Sequence, residues 1–336
     1  MKQYKTIDIA KYILSVGILI LHTGMLWNLK YGFYYINLVL RIAVPFFFVV
    51  AGYFFNKNTK KYGINNSLKK YISRLILPYI FFSTLYILLE YFAQHQSIQY
   101  IFQEFLKMIS GNPINIMWFS GSLIWSLIII AKLKDKKKIK YSLIIALLLY
   151  IIGLLFNTYE FILQNYNNEL LVALKEVFRS NRCFWFVGYL YTAIGYLIGE
   201  YEFKNYKHYK NYLVVIISFL LLVLEVKYIK TKFDLGLIIE FDYYLSHLIF
   251  IPSLVILLLN SRLDKYIDAD TTILRGMSTT IYNIHFVFLY LFVIIEQRYN
   301  LLVLLSFKNY VIILLTAIFA FIINNYGNKK LKRLLS

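Results

Sequence analysis

Residues 11–24 read KYILSVGILILHTG, and apolar residues continue on both sides, from about position 7 to position 28. Such a run matches the roughly 20 residues that an α-helix needs to cross a bilayer. On one helix Lys11 and His22 share a face, because eleven positions at about 3.6 residues per turn make almost three turns, about 16 Å of axis. A charge at the centre of a spanning helix costs about 2.5–3.5 kcal/mol, so a polar stripe there is expected to face the bundle interior or a wet cavity.

The rest of the chain has the same character. Of 336 residues, 60% are hydrophobic and 19% aromatic, and only 16% are charged, where a soluble domain carries about 25%. Runs of sufficient length and apolarity are expected near 7–28, 36–55, 72–93, 116–133, 141–157, 184–199, 211–229, 242–260, 276–296 and 308–326. The expected fold class is therefore all-α, a polytopic membrane protein of about ten transmembrane helices. One integral-membrane domain over 1–336, with no appended soluble domain, is expected. The first run lacks a small-residue cleavage site and reads as a span rather than a removed signal peptide.

The net charge of +19 fits topology better than nucleic acid, since the lysines sit between apolar runs rather than on a solvated arm. Residues at span ends are counted here with the neighbouring connection. With the N-terminus inside, alternate connections then hold 24 of the 36 Lys and Arg on the inner side and 10 on the outer, and Lys11 and Arg41 complete the count. Both termini are thus expected in the cytoplasm. Cys183 is the single cysteine, which excludes an intramolecular disulfide and a cysteine metal cluster. No metal is expected: the five histidines, His22, His95, His208, His247 and His285, show no short ligand spacing. Phosphate-loop, GxSxG and HExxH patterns are absent, which removes the readings those motifs carry.

Attention falls on polar residues inside the spans. The short connection between the first two spans makes them antiparallel neighbours and places Arg41 at a depth similar to that of His22, a permanent cation beside a titratable base. STTIYNIH, residues 278–285, sets His285 near mid-bilayer with Ser278 and Tyr282 on preceding turns. Arg182 stands at the outer mouth of the sixth span, and Trp118 and Trp185 suit the aromatic belt. Packing or interfacial anchoring accounts for each of these alone. A transporter or flippase for a glycan or solute, and a membrane glycan polymerase, both remain open on the residues.

Four stretches, in order, resemble the integral-membrane acyltransferases of family 3, which include bacterial O-acetyltransferases of lipopolysaccharide, capsule, exopolysaccharide and peptidoglycan. They are YKTIDIAKYILSVGILILHTG, RIAVPFFFVVAGYFF, MWFSGSLIW and STTIYNIH. The resemblance covers essentially the whole chain. It implies that His22 and Arg41 are catalytic and that Lys11 binds the acyl donor; His285, Tyr282, Arg182 and Trp118 are candidates for a secondary site. It further implies acetyl-CoA or another acyl-CoA as donor and an envelope glycan or lipid-linked oligosaccharide as acceptor. The implied location is the bacterial cytoplasmic membrane, among membrane lipids, with no nucleic acid partner. Lysine stands at Lys11 where the family more often has arginine, which keeps the charge and loses the bidentate fork. The hydrolase-like domain that some relatives carry outside the membrane is not read in this sequence, so a mechanism that needs it draws on a partner acyltransferase domain in another protein or does without.

Overall fold

Every regular element of the computed structural model is helical, and no strand occurs among the described residues. Those are residues 3–27, 29–94, 96–111, 116–133, 135–163, 183–201, 208–233, 241–299 and 307–335. In chain order the helices are α1 Lys5–His22, α2 Gly32–Tyr62, α3 Ile64–Gln94, α4 Ile98–Ile109, α5 Trp118–Leu133 and α6 Lys136–Leu155. They continue with α7 Tyr189–Tyr201, α8 His208–Lys232, α9 His247–Leu259, α10 Thr272–Tyr299, α11 Lys308–Tyr326 and the short α12 Lys329–Leu335. Among the described residues, seven helical segments are long and apolar enough to cross a membrane. The protein is an all-α, multi-pass membrane protein. The helix α1 does not count among the seven, since Lys5, Asp8 and Lys11 crowd its first two turns, and α5, with 16 residues, is shorter than a full span.

Local chemistry sets the ends. The side chain of Ser97 accepts the Tyr100 amide at the start of α4, and that of Asp135 accepts the Lys137 amide at the start of α6. Gly63, with φ of 78°, closes α2 in the left-handed region. The helix α1 ends earlier than its hydropathy suggests: Thr23–Trp27 form a turn in which Gly24 takes φ of 73° and its carbonyl accepts the Trp27 amide. His22 therefore lies in the last turn of α1 rather than several residues inside it.

The contacts divide the chain into two units, one of Met1–Asn28, Ser73–Gly121 and Arg262–Ser336, the other of Leu29–Ile72 and Ser122–Ser261. In the first, α1 lies along α10 and α11 over a core that includes Leu19, Met277, Ile281 and Ile312. Asp8 meets Arg275, Lys11 meets Ser278 and His22 meets His285, so residue numbers rise together and the two helices run parallel. Parallel helices in one bundle begin at the same membrane face. Their starts are fastened by a buried carboxylate: Arg275 Nε and Nη2 donate to the two oxygens of Asp8, each at 2.9 Å, and Thr271 Oγ1 adds a third bond at 2.9 Å.

The sequence read residues 98–109 as part of a connection, and the structure makes them the helix α4. Its apolar residues Ile98, Phe102, Leu106 and Ile109 face outward, while Glu104 is fully buried and bonded to Lys107 at 2.7 Å. This inversion of the soluble pattern suits a helix whose outer surroundings are lipid. The Tyr79 hydroxyl donates to the Met108 carbonyl at 2.6 Å and ties the end of α4 to α3.

In the second unit α2 and α7 also run parallel and touch through backbone. A Cβ added at Gly52 would lie 1.9 Å from the Thr192 carbonyl oxygen, and one added at Gly195 would lie 1.9 Å from that of Val49. Small residues are what permit this approach, as at many helix contacts in membranes. Asn56 Nδ2 reaches Glu200 Oε2 at 3.2 Å further along the same seam.

Candidate functional site

The His22 ring lies against α10. Its centroid is 5.5 Å from that of His285, with 27° between the planes, and 4.9 Å from that of Phe286, which presents an edge-on contact. Phe286 also touches His285, Tyr86 and Tyr290, so the two imidazoles sit in an aromatic box built from α1, α3 and α10. His22 is half-buried and His285 fully buried. The His285 Nδ1 lies 2.8 Å from the Ile281 carbonyl one turn earlier. A carbonyl only accepts, so Nδ1 carries the proton in the neutral ring and Nε2 keeps its lone pair. That Nε2 is buried without a hydrogen-bond partner.

Lys11 lies on the same helix, and α1 is unbroken from Lys5 to His22. The shared face expected from the spacing is thus a property of one rigid element, about 16 Å long between the two residues. Lys11 stands within electrostatic reach of Asp8 and Arg275, and since Arg275 already neutralises Asp8, the group keeps one net positive charge. Its backbone carbonyl accepts the Ser278 hydroxyl at 3.1 Å, which fixes α1 against α10 at this level.

Arg41 belongs to the other unit. A π-helical turn, Ile36–Leu40, precedes it, and its own amide bonds back to the Ile36 carbonyl. Its guanidinium Nη1 lies 3.1 Å from Asp242 Oδ1, and both side chains are largely buried. Asp242 lies 201 positions from Arg41 in the chain, so no local spacing marks the pair. Nearby, Glu225 accepts from the Tyr159 hydroxyl at 2.6 Å and from the amides of Leu245 and Ser246 at 2.7 and 2.8 Å. These bonds pin the segment that carries Asp242.

Of the secondary-site residues, Tyr282 donates its hydroxyl to the Ile116 carbonyl and meets Phe119 edge-on, with ring centroids 5.6 Å apart. This brings it to the segment in which Trp118 opens α5. His285 joins His22 rather than these two, and Arg182 lies outside the described residues, as does His95. Among the described residues no three His, Cys, Asp or Glu side chains are placed to hold a metal ion. Burial pushes the Cys183 thiol above its ordinary range, which makes it a poor nucleophile.

A nearly continuous match to one family accompanies this geometry: residues 4–327 fit the family described as an acyltransferase domain. The protein belongs to acyltransferase family 3. A curated protein described as an amino-acid racemase, from Enterococcus faecalis, is 25% identical over 232 residues, which cover 66% of this chain and 31% of that protein. The chain thus spans about a third of the length of that curated relative. No solved structure matches.

Proposed function

We propose that this protein is a membrane acyltransferase that takes an acyl group, acetyl in the first instance, from acyl-CoA at the cytoplasmic face of the bacterial inner membrane. It passes the group to a hydroxyl of an envelope glycan or a lipid-linked oligosaccharide. The reading is supported above all by α1, a single unbroken helix that carries Lys11 and His22 on one face and seats the imidazole in an aromatic box. Lys11 holds donor phosphate as a point charge, and the extended arm of the donor lies along the shared face with its thioester toward His22.

His22 acts as general base. It accepts the proton of the acceptor hydroxyl as that oxygen attacks the thioester carbonyl, the carbon–sulfur bond breaks, and the proton returns to the leaving sulfur. Within its own unit Arg41 is a fixed cation held by Asp242, and the role assigned to it is that of a group that orients an acceptor or stabilises an oxyanion.

The test is acyl transfer by the purified protein in liposomes, from labelled acetyl-CoA to envelope glycan, for wild type, His22→Ala and Lys11→Ala. The first variant is expected to lose about 10²- to 10⁴-fold in kcat, the scale of general-base catalysis. The second is expected to raise the KM for acetyl-CoA. Movement of a glycan or solute by the wild type without consumption of acyl-CoA would replace this reading with transport.

A further inference from the structure

We propose that His285 is the positioning partner of His22: its Nε2 accepts a hydrogen bond from the His22 ring while His22 takes the proton of the acceptor hydroxyl. The inference rests on the reading of His22 as general base and gives that base an orienting group supplied by the same protein.

Three observations carry it. The Ile281 carbonyl, 2.8 Å from Nδ1, fixes the tautomer of His285 and leaves Nε2 as an acceptor. That acceptor is fully buried and unsatisfied, and a buried acceptor away from water calls for a donor. The ring stacked on His285 is that of His22, 5.5 Å away between centroids. Rotation of the His22 ring about its terminal torsion, whose energy well is broad, brings a ring N–H of His22 toward Nε2. Phe286, edge-on to both rings, keeps them in the same box.

Proton bookkeeping is simple. One nitrogen of His22 takes the hydroxyl proton, and the other already carries the proton that is donated to His285. The C–O bond forms, the C–S bond breaks, and the first proton passes to the sulfur of CoA. His285 gains and loses nothing and stays neutral throughout. Its role parallels that of the carboxylate in other catalytic constellations, in which the partner fixes the ring and its tautomer, here without a second buried charge.

The experiment compares wild type with His285→Phe, which keeps an aromatic ring in the box and removes the acceptor, and His285→Gln, whose amide oxygen restores one. The Phe variant is expected to lose kcat by about 10- to 100-fold, the scale for removing a group that orients a histidine. Its KM for acetyl-CoA should stay unchanged, and the Gln variant should recover most of the rate. Equal losses in both variants, loss confined to KM, or no loss in either would overturn the proposal.

A second measurement does not depend on turnover. Ring ¹⁵N spectra of the histidine-labelled protein in nanodiscs should show His285 protonated at Nδ1, with its Nε2 coupled to the ring of His22. Protonation of His285 at Nε2 would overturn the pairing. The coupled spectrum in a protein that transfers no acyl group would instead leave the pair standing and remove the acyltransferase chemistry assigned to it.

Discussion

Replacing Gly52 by alanine adds one methyl group where α2 and α7 touch. The new Cβ would sit 1.9 Å from the Thr192 carbonyl oxygen and 2.9 Å from the Tyr196 nitrogen. Carbon–oxygen contacts between packed helices settle at about 3.3 to 3.6 Å, so the two helices must part locally by about 1.4 Å. The obstacle is backbone on a helix, not the end of a flexible side chain, so no rotamer change relieves it. Overpacking of this kind costs about 1–3 kcal/mol or more, and the better helix propensity of alanine returns about 1 kcal/mol. A net loss of about 2 kcal/mol is expected.

The assay is thermal unfolding of the detergent-solubilised protein, followed by size-exclusion fluorescence. Gly195→Ala should behave alike, because its Cβ meets the Val49 carbonyl at the same 1.9 Å. The double variant should cost clearly less than the sum, since the helices need to separate only once. Wild-type or higher stability in Gly52→Ala would show that the backbones do not touch there, and strict additivity would show that the two glycines do not share one seam.

Two further outcomes follow from buried polar contacts. Arg41→Ala and Asp242→Asn should each destabilise by about 3 kcal/mol or more, the cost of leaving half of a buried pair, because these side chains are only 9% and 15% exposed. Melting of the singles and the double variant measures the coupling, and additive losses would dissolve the pair. Tyr282→Phe keeps the ring contact with Phe119 and removes the hydroxyl bonded to the Ile116 carbonyl. It should cost about 1–3 kcal/mol, and an unchanged melting temperature would mean that the carbonyl has another donor.

The helical bundle was legible because hydrocarbon admits few spanning structures: an apolar run of five turns in a lipid protein is a helix. Hydropathy does not register where such a helix stops. MLW continues the apolar run after His22, and the stop lies in the Thr23–Gly24 pair, a turn signal within a sequence otherwise fit to cross. The inversion of α4 was hidden for a related reason, since its apolar stripe looks the same on paper whether it faces a core or lipid. Lys11 and His22 could be placed on one face because they share a helix. The partner of His22 stands 263 positions away in the chain and that of Arg41 stands 201 away, and neither spacing carries a local signature. Each depends on which helices pack together, a choice made by the whole bundle.

The clamp at the start of α1 also sets a schedule for biosynthesis. Asp8 leaves the ribosome 267 residues before Arg275, an interval of about 15 to 50 s at ordinary translation speeds. Over that interval the first helix has no guanidinium from α10 to neutralise its carboxylate, so Asp8 is best kept at the headgroup level, where water can reach it. Completion of the tenth helix allows α1 to be drawn into its seat, and His22 comes to rest against His285 only then. The site assembles late, although its first histidine is among the earliest residues made.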